Sequence, residues 1–286
     1  MTSEKTGKPS IKPYCYINGK IERADKLYVS CYDIGLLRGY AIYEGITAYG
    51  DKPFYLKQHL ARFKRSAKKL GLQIPSTDVE IEQILKTLIK KNGFERTNLK
   101  MILTGGDAIR GIEFNVNTPT FFVIAEKWTP LPEDLYIKGG KIIVEEHQRF
   151  MPDVKSTHYI TTVSLQVKRK KEKAIEILFT DKGKILECST SNIFMFFGDT
   201  LVTPKDNVLF GITRMAVLDI AKKHFKIEER DVTIEEMKKA DEIFLTSSYK
   251  DIVPIVMVDK DKVGDGVVGK NTKVIMDLFS KLVKKG

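Results

Sequence analysis

The sequence predicts an α+β protein built as two domains. Strand-like and helix-like stretches follow one another in mixed order rather than in strict alternation. A proline-rich WTPLPE stretch at 128–133 interrupts that order. The 286 residues are enough for two domains of ordinary size. The expected boundaries are a smaller N-terminal α/β domain at 1–127, a linker at 128–135 and a larger C-terminal domain at 136–286.

Within the first domain, YCYINGKI at 14–21 reads as two strands around an Asn-Gly turn, the strongest short hairpin signal. Residues 56–70 place Leu56, Leu60, Phe63, Ala67 and Leu70 at helical spacing, and Gly71 stops the run. Residues 78–91 read as a second helix, ended by Asn92-Gly93. Buried strands are expected at 99–103 and 120–125. Beyond the linker, strands are expected at 141–145, 175–180, 192–196 and 242–246, and helices at 161–173, 213–224 and 271–284.

Composition narrows the function classes. Hydrophobic residues make up 42% and charged residues 30%, the profile of a chain that buries a sizeable core. No apolar stretch approaches the roughly 20 residues needed to cross a bilayer. The polar start MTSEKTGKPSIKP lacks the apolar segment of a secretory signal, so a cytoplasmic protein is expected. Cys15, Cys31 and Cys188 form neither a disulfide framework nor a CxxC pattern. His59, His147, His158 and His224 lack metal-site spacing, so no metal is expected. A net charge of +11 brings nucleic acid into consideration. Yet the densest basic runs, KRKKEK at 168–173 and the terminal KLVKKG, lie on helical patterns as solvated faces and have no aromatic platform beside them. No nucleic-acid partner and no membrane partner is expected.

Four places carry possible chemistry. Gly211-Ile212-Thr213-Arg214 follows the strand-like VLF and opens an amphipathic helix, where free backbone N–H groups favour a phosphate. Thr213 equally suits a helix cap. Arg62, in the HLARF helix, offers a planar fork suited to phosphate, or an ion pair. Glu187 precedes the small polar run CSTSN and suits either a flat ligand or an ordinary strand end. Lys155, in RFMPDVKSTHY, follows a Pro-Asp turn. Together, a lysine able to form a Schiff base, phosphate donors and a carboxylate for a ring nitrogen are what a pyridoxal phosphate enzyme requires.

Those motifs, in that order, resemble the class IV aminotransferases, the fold type IV pyridoxal 5'-phosphate enzymes. HLARFKRSAKKL, KSTHY, ECSTSNIF, GITR, TSSYKDIVPI and GDGVVGKNT extend the resemblance over nearly the whole chain. It implies that Lys155 binds the cofactor covalently and shuttles a proton between the substrate α-carbon and the cofactor C4′. It implies that Glu187 pairs with the pyridine nitrogen. Arg62 and the amides of Ile212 and Thr213 would hold the phosphate, with Ser248 also on the cofactor. Tyr159 would lie near the phenolic oxygen, one residue closer to the lysine than in branched-chain enzymes, and Arg149 would be a nearby supporting charge. The C-terminal domain would then be the cofactor-binding one.

For substrate, Tyr43-Glu44-Gly45-Ile46 resembles the FEGI stretch of branched-chain aminotransferases, and Tyr43 and Tyr249 would line the pocket. Arg38 stands where those enzymes carry an aromatic residue, and Lys250 stands in a turn that usually reads Thr-Ala-Ala or Thr-Thr-Ser. Both charges would be expensive to bury unless they bound a carboxylate. With LTGG at 103–106, they resemble the less usual D-amino acid aminotransferases, in which the arginine comes from the neighbouring subunit of a homodimer. Of the arginine and histidine that usual D-specific enzymes bear after the third strand, only Arg110 could have a counterpart here. The first expectation is therefore amino transfer from a D-amino acid to 2-oxoglutarate or pyruvate, by a ping-pong mechanism. L-branched-chain transamination is the alternative. An aminodeoxychorismate lyase-type reaction and a basic nucleic-acid-binding protein are further readings.

Overall fold

The first hairpin forms as its residue types dictate in the computed structural model, which describes residues 12–285. The polar start read above lies, through residue 11, outside those residues. Strands β1 (Tyr14–Ile17) and β2 (Lys20–Arg23) pair through Asn18 and Gly19, both at positive φ (42° and 90°), as a two-residue turn between right-twisted strands requires. The chain divides into two compact units, one ending at Trp128 and the other starting at Thr129, within the WTPLPE stretch.

In the first unit, α1 (Ile34–Arg38) precedes β3 (Ala41–Tyr49) and the short β4 (Lys52–Pro53). Helices α2 (Leu56–Lys69) and α3 (Asp78–Asn92) follow. Next come β5 (Arg96–Thr104), a small hairpin of β6 (Ala108–Arg110) and β7 (Glu113–Phe114), and β8 (Thr120–Lys127). Six strands form one antiparallel sheet in the order β2-β1-β8-β5-β3-β4. Helix α3 carries a Thr77/Glu80 capping box and ends at a left-handed Gly93. Strand β3 shows no alternating pattern in the sequence because, as a central strand, it is buried along nearly its whole length.

In the second unit, α4 (Glu133–Ile137) starts inside the expected linker, of which only 128–132 stay irregular. Then come β9 (Gly140–Glu146), α5 (Ile160–Ser164), α6 (Gln166–Lys171), β10 (Glu176–Asp181) and β11 (Lys184–Cys188). They are followed by β12 (Asn192–Phe197), β13 (Thr200–Thr203), α7 (Ile212–Ala221) and β14 (Lys226–Glu229). Last are α8 (Ile234–Met237), β15 (Glu242–Ser247), β16 (Asp251–Val258), β17 (Asp261–Lys262) and α9 (Lys270–Lys285). Nine strands form one mixed sheet, β11-β10-β9-β16-β15-β12-β13-β14, with β17 on β16. Strand β9 runs parallel to both its neighbours, whereas β12, β15 and β16 pair antiparallel. One face of the sheet buries Ile142, Leu178, Ile193, Met195 and Leu245. Phe194 and Phe244, cross-strand partners stacked at 5.0 Å, are also fully buried.

Two expectations are corrected here. The single helix expected over 161–173 is two short helices joined at Leu165. Thr161, Thr162 and Val163 are β-branched, and Ser164 Oγ and Gln166 Nε2 bond to the Thr161 and Thr162 carbonyl oxygens at 2.9 and 2.8 Å. The strand-like VLF at 208–210 is irregular. Its backbone serves a carboxylate instead of a ladder, as described below. Among the described residues, no helix is long and apolar enough to cross a membrane, and no group of three His, Cys, Asp or Glu side chains could hold a metal ion.

Candidate active site

Glu187 sits near the C-terminal end of β11, and its side chain is only 8% exposed. Arg149 donates to its Oε1 from Nε and Nη2, at 2.9 and 2.6 Å. The other oxygen accepts from the Leu209 N–H at 3.1 Å and from Asn192 Nδ2 at 3.5 Å. Burial pushes the Glu187 carboxyl above its usual value, while the charge and hydrogen bonds of Arg149, the Leu209 amide and the charge of Lys155 pull the other way. Lys155 therefore lies within the electrostatic reach of Glu187.

Arg149 links those two residues. Besides Glu187, its guanidinium donates to the Pro152 carbonyl and, at 3.4 Å, to that of Val154. It thus braces the turn that delivers Lys155 one residue later. Met151 adopts φ 50°, and the Val154 N–H closes on the Met151 carbonyl at 2.9 Å, with the Val154 side chain fully buried. Lys155 and Tyr159 are partly buried, and Tyr159 stands at the start of α5.

The start of α7 is built around Asn192. Its Nδ2 also donates to the Leu209 carbonyl at 2.8 Å. A Cβ on Gly211 would overlap Asn192 Oδ1, so glycine at the first residue of GITR leaves room for the Asn192 side chain. Gly211 is the N-cap and makes no side-chain cap bond, so Thr213 does not cap this helix. Ile212 and Thr213 open it as buried residues. Arg214 is an anchor, donating to the Pro204 carbonyl at 3.1 Å and to Glu229 at 2.7 Å. GDGVVGKNT is likewise structural. The Asn271 and Thr272 amides at the start of α9 donate to the Glu242 carboxylate at 3.0 and 2.7 Å, and a Cβ on Gly269 would overlap that carboxylate.

Lys250 is held within its own unit. Its ammonium donates to Glu176, to Thr190 Oγ1 at 2.7 Å and to Ser191 Oγ at 3.0 Å. An ammonium has three donors, and here a buried carboxylate and two hydroxyls take them. Ser248 and Tyr249 precede it as partly buried residues between β15 and β16.

Arg38, Tyr43, Arg62 and Arg110 belong to the first unit. Arg62, only 4% exposed, donates from Nε at 3.0 Å and from Nη2 at 2.5 Å to the two oxygens of the fully buried Glu44. His59 Nδ1 lies 2.9 Å from the same carboxylate. Tyr43 is half-buried in β3, opposite Ile102. Arg38 and Arg110 are exposed, and Arg38 donates to the Leu37 carbonyl at 2.9 Å. Sequence reasoning missed Glu44, Glu176, Asn192 and the Leu209 amide. Asn192 and Glu44 carried a signal, as members of the ECSTSN and YEGI motifs.

The amino-transferase class IV family model matches residues 41–258. A D-alanine aminotransferase of Listeria monocytogenes is 30% identical, over 92% of this chain and 93% of the relative. A Methanocaldococcus jannaschii protein provisionally named a branched-chain-amino-acid aminotransferase is 31% identical, over 94% and 96%. Among solved structures, a branched-chain amino acid aminotransferase from T.th. with pyridoxamine 5'-phosphate aligns at a TM-score of 0.87 and 25% identity, over 96% and 94% of the two chains. The chain belongs to the class IV aminotransferases, and it is an enzyme of that class.

Proposed function

We propose that this aminotransferase moves an amino group between a D-amino acid and a 2-oxo acid, 2-oxoglutarate or pyruvate, with pyridoxal 5'-phosphate as cofactor. The carrying observation for the chemistry is the Arg149–Glu187 pair. It buries a carboxylate within the electrostatic reach of Lys155 and orients it through the Leu209 amide and Asn192. The residues fit the family's cofactor, because the donor set has an acidic partner for a ring nitrogen and a helix start without a side-chain cap.

When bound, the cofactor supplies the electron sink for charge developing at the substrate α-carbon. Lys155 would hold the cofactor, and its Nζ would take and return the α-carbon proton. Glu187 would accept a hydrogen bond from the protonated ring nitrogen and keep that proton in place. The Ile212 and Thr213 amides, with Ser248, would bind the phosphate. Tyr159 would lie at the phenolic oxygen, and Tyr249 would border the substrate. Glu44 and His59 fix the Arg62 guanidinium in one orientation.

The D-amino acid reading rests on the exposed Arg38 and on the likeness to D-alanine aminotransferases. A homodimer in which Arg38 reaches the neighbouring subunit's substrate goes with it. One observation favours L-branched-chain amino acids as the second reading, namely that Lys250 is tied to Glu176 and leaves Arg38 as the one remaining charge of that pair.

The test is a half-reaction. Purified protein loaded with cofactor is mixed separately with D-alanine, D-glutamate, L-leucine and L-glutamate, and the cofactor's visible absorption is followed. Bleaching by the D-compounds alone supports the first reading, and bleaching by L-leucine and L-glutamate supports the second. No bleaching by any of the four would remove both.

A further inference from the structure

The small polar run CSTSN has an unexpected partner. Glu176, the first residue of β10, is 2% exposed, yet its carboxylate accepts from Ser189 Oγ, Thr190 Oγ1, Ser191 Oγ and Lys250 Nζ. Three of the four residues between Glu187 and Asn192 therefore point a hydroxyl at one buried acid. The loop is tightened further by the Cys188 amide, which donates to the Ser191 carbonyl at 2.8 Å, and by the Ser189 amide, which donates to that of Ile177 at 2.8 Å. Lys250 brings in a second segment, the turn carrying Ser248 and Tyr249.

We propose that Glu176 is a positioning residue for the cofactor site and that Lys250 is its counter-ion. The pair clamps the 188–191 loop to the 247–250 turn, so that Glu187, Asn192 and Ser248 are presented from one rigid block. The inference rests on the aminotransferase reading and deepens it, because it moves Lys250 from substrate recognition to cofactor positioning. Donor selectivity is then left to Arg38 and the uncharged lining.

Charge and burial set the order of effects. Burial works against an ionised Glu176, and the Lys250 charge with the hydroxyl donors overrides it. Removing the lysine strands a carboxylate in the interior, the more damaging half of a broken buried pair. Removing the carboxylate leaves a lysine whose side chain is 20% exposed and can reach water. Neutralising both restores balance, since buried ion pairs replaced by neutral groups of similar volume are often tolerated.

The experiment compares Lys250→Met, Glu176→Gln, their double variant and Lys250→Arg with the parent protein. Three quantities are read: the pyridoxal 5'-phosphate dissociation constant from absorption titration, the KM for 2-oxoglutarate at saturating cofactor, and the thermal midpoint of the cofactor-free protein. The expected result is a cofactor Kd raised at least tenfold in Lys250→Met and less in Glu176→Gln. The double variant and Lys250→Arg should return to within threefold of the parent, with KM within twofold throughout. The bound cofactor's absorption maximum should shift in the single variants and recover in the double. A KM raised tenfold in Lys250→Met at unchanged cofactor Kd, and not recovered in the double variant, would overturn the proposal and make Lys250 a substrate residue. If the singles are insoluble, the double variant and Lys250→Arg still decide, and loss of cofactor affinity in both would count against the clamp. A parent protein that binds no pyridoxal phosphate would sink the aminotransferase reading instead. The charge complementation would still appear in the thermal midpoints.

Discussion

Buried charges carry this molecule's chemistry, and each is tied to a named partner. Glu44 shows the principle most simply. Burial disfavours its ionised form, but Arg62 and His59 beside it hold its carboxyl well below the usual range. A depressed folded value gives stability above the ordinary carboxylate pKa of roughly 4.3 and loses it as pH falls towards the folded value. Glu44→Gln should therefore cost about 3–5 kcal/mol near neutral pH, because it leaves Arg62 buried and unbalanced. It should also flatten the acid dependence, so urea unfolding at pH 7 and pH 4 would differ less in the variant than in the parent. An equal pH dependence in both would show that the pair is not what makes this unit acid-sensitive. At Lys155, a substitution to Ala should abolish turnover and covalent cofactor attachment. The visible absorption should be lost when unattached cofactor is dialysed away, and retained turnover would remove the central assignment. These residues differed in legibility for a physical reason. Lys155, Glu187 and GITR could be read because they lie in motifs contiguous along the chain. Glu176 could not, because its partners lie 13 to 15 residues away in the CSTSN loop and 74 away at Lys250, and one isolated glutamate at a strand start carries no local signal.

At the level of elements, the sequence announced what local chemistry decides. The Asn-Gly hairpin, the end of α3 at Asn92-Gly93 and the amphipathic α2 all formed where the Asn-Gly pairs and the helical spacing placed them. It did not announce where tertiary contacts override local preference. VLF at 208–210 has strand-like composition, yet its amide and carbonyl are taken by Glu187 and Asn192. The 161–173 run has helical spacing, but its side chains compete for the carbonyl groups that would continue the helix. The start of α7 gives a test at this scale. Gly211 has an ordinary φ of −66°, so alanine there meets no backbone strain; its Cβ would overlap Asn192 Oδ1 and crowd Arg214 Cβ at 3.3 Å. Gly211→Ala should push the Asn192 side chain off the Leu209 carbonyl and loosen Glu187. The expected outcome is a cofactor Kd raised roughly tenfold, about 1.4 kcal/mol of binding, with a thermal midpoint lowered by only a few degrees. A variant that binds cofactor like the parent would show that Asn192 does not help to hold the carboxylate.

The whole molecule adds a question that one chain cannot answer alone, namely what covers its apolar surface. Tyr28, Tyr32 and Leu36 are 81%, 67% and 69% exposed, and Ile109 and Ile112 are 69% and 75% exposed. These two segments are fastened together. The Ile34 amide donates to the Gly106 carbonyl and the Ala108 amide to the Tyr32 carbonyl, both at 2.9 Å, while Asp33 and Asp107 form a β-bridge. Asp33 also caps α1 through the Gly35 amide at 2.7 Å and accepts from Thr104 Oγ1 at 2.7 Å, so the helix ending in Arg38 is held rigid against β5. Exposed apolar side chains braced in this way are where a partner surface would dock. In the homodimer proposed above, the occupant would be a second copy of the chain, each supplying Arg38 to the other. Light scattering should accordingly give twice the 32.6 kDa chain mass. Leu36→Asp, at an exposed position that leaves the fold intact, should yield monomers with at least tenfold lower kcat/KM and an unchanged far-ultraviolet circular dichroism spectrum. Arg38→Ala should keep the dimer and raise KM for the 2-oxo acid alone. Because the first variant separates the subunits and the second removes one charge, their difference isolates what the neighbouring chain contributes. A Leu36→Asp monomer with parental activity would mean that each chain completes its own site.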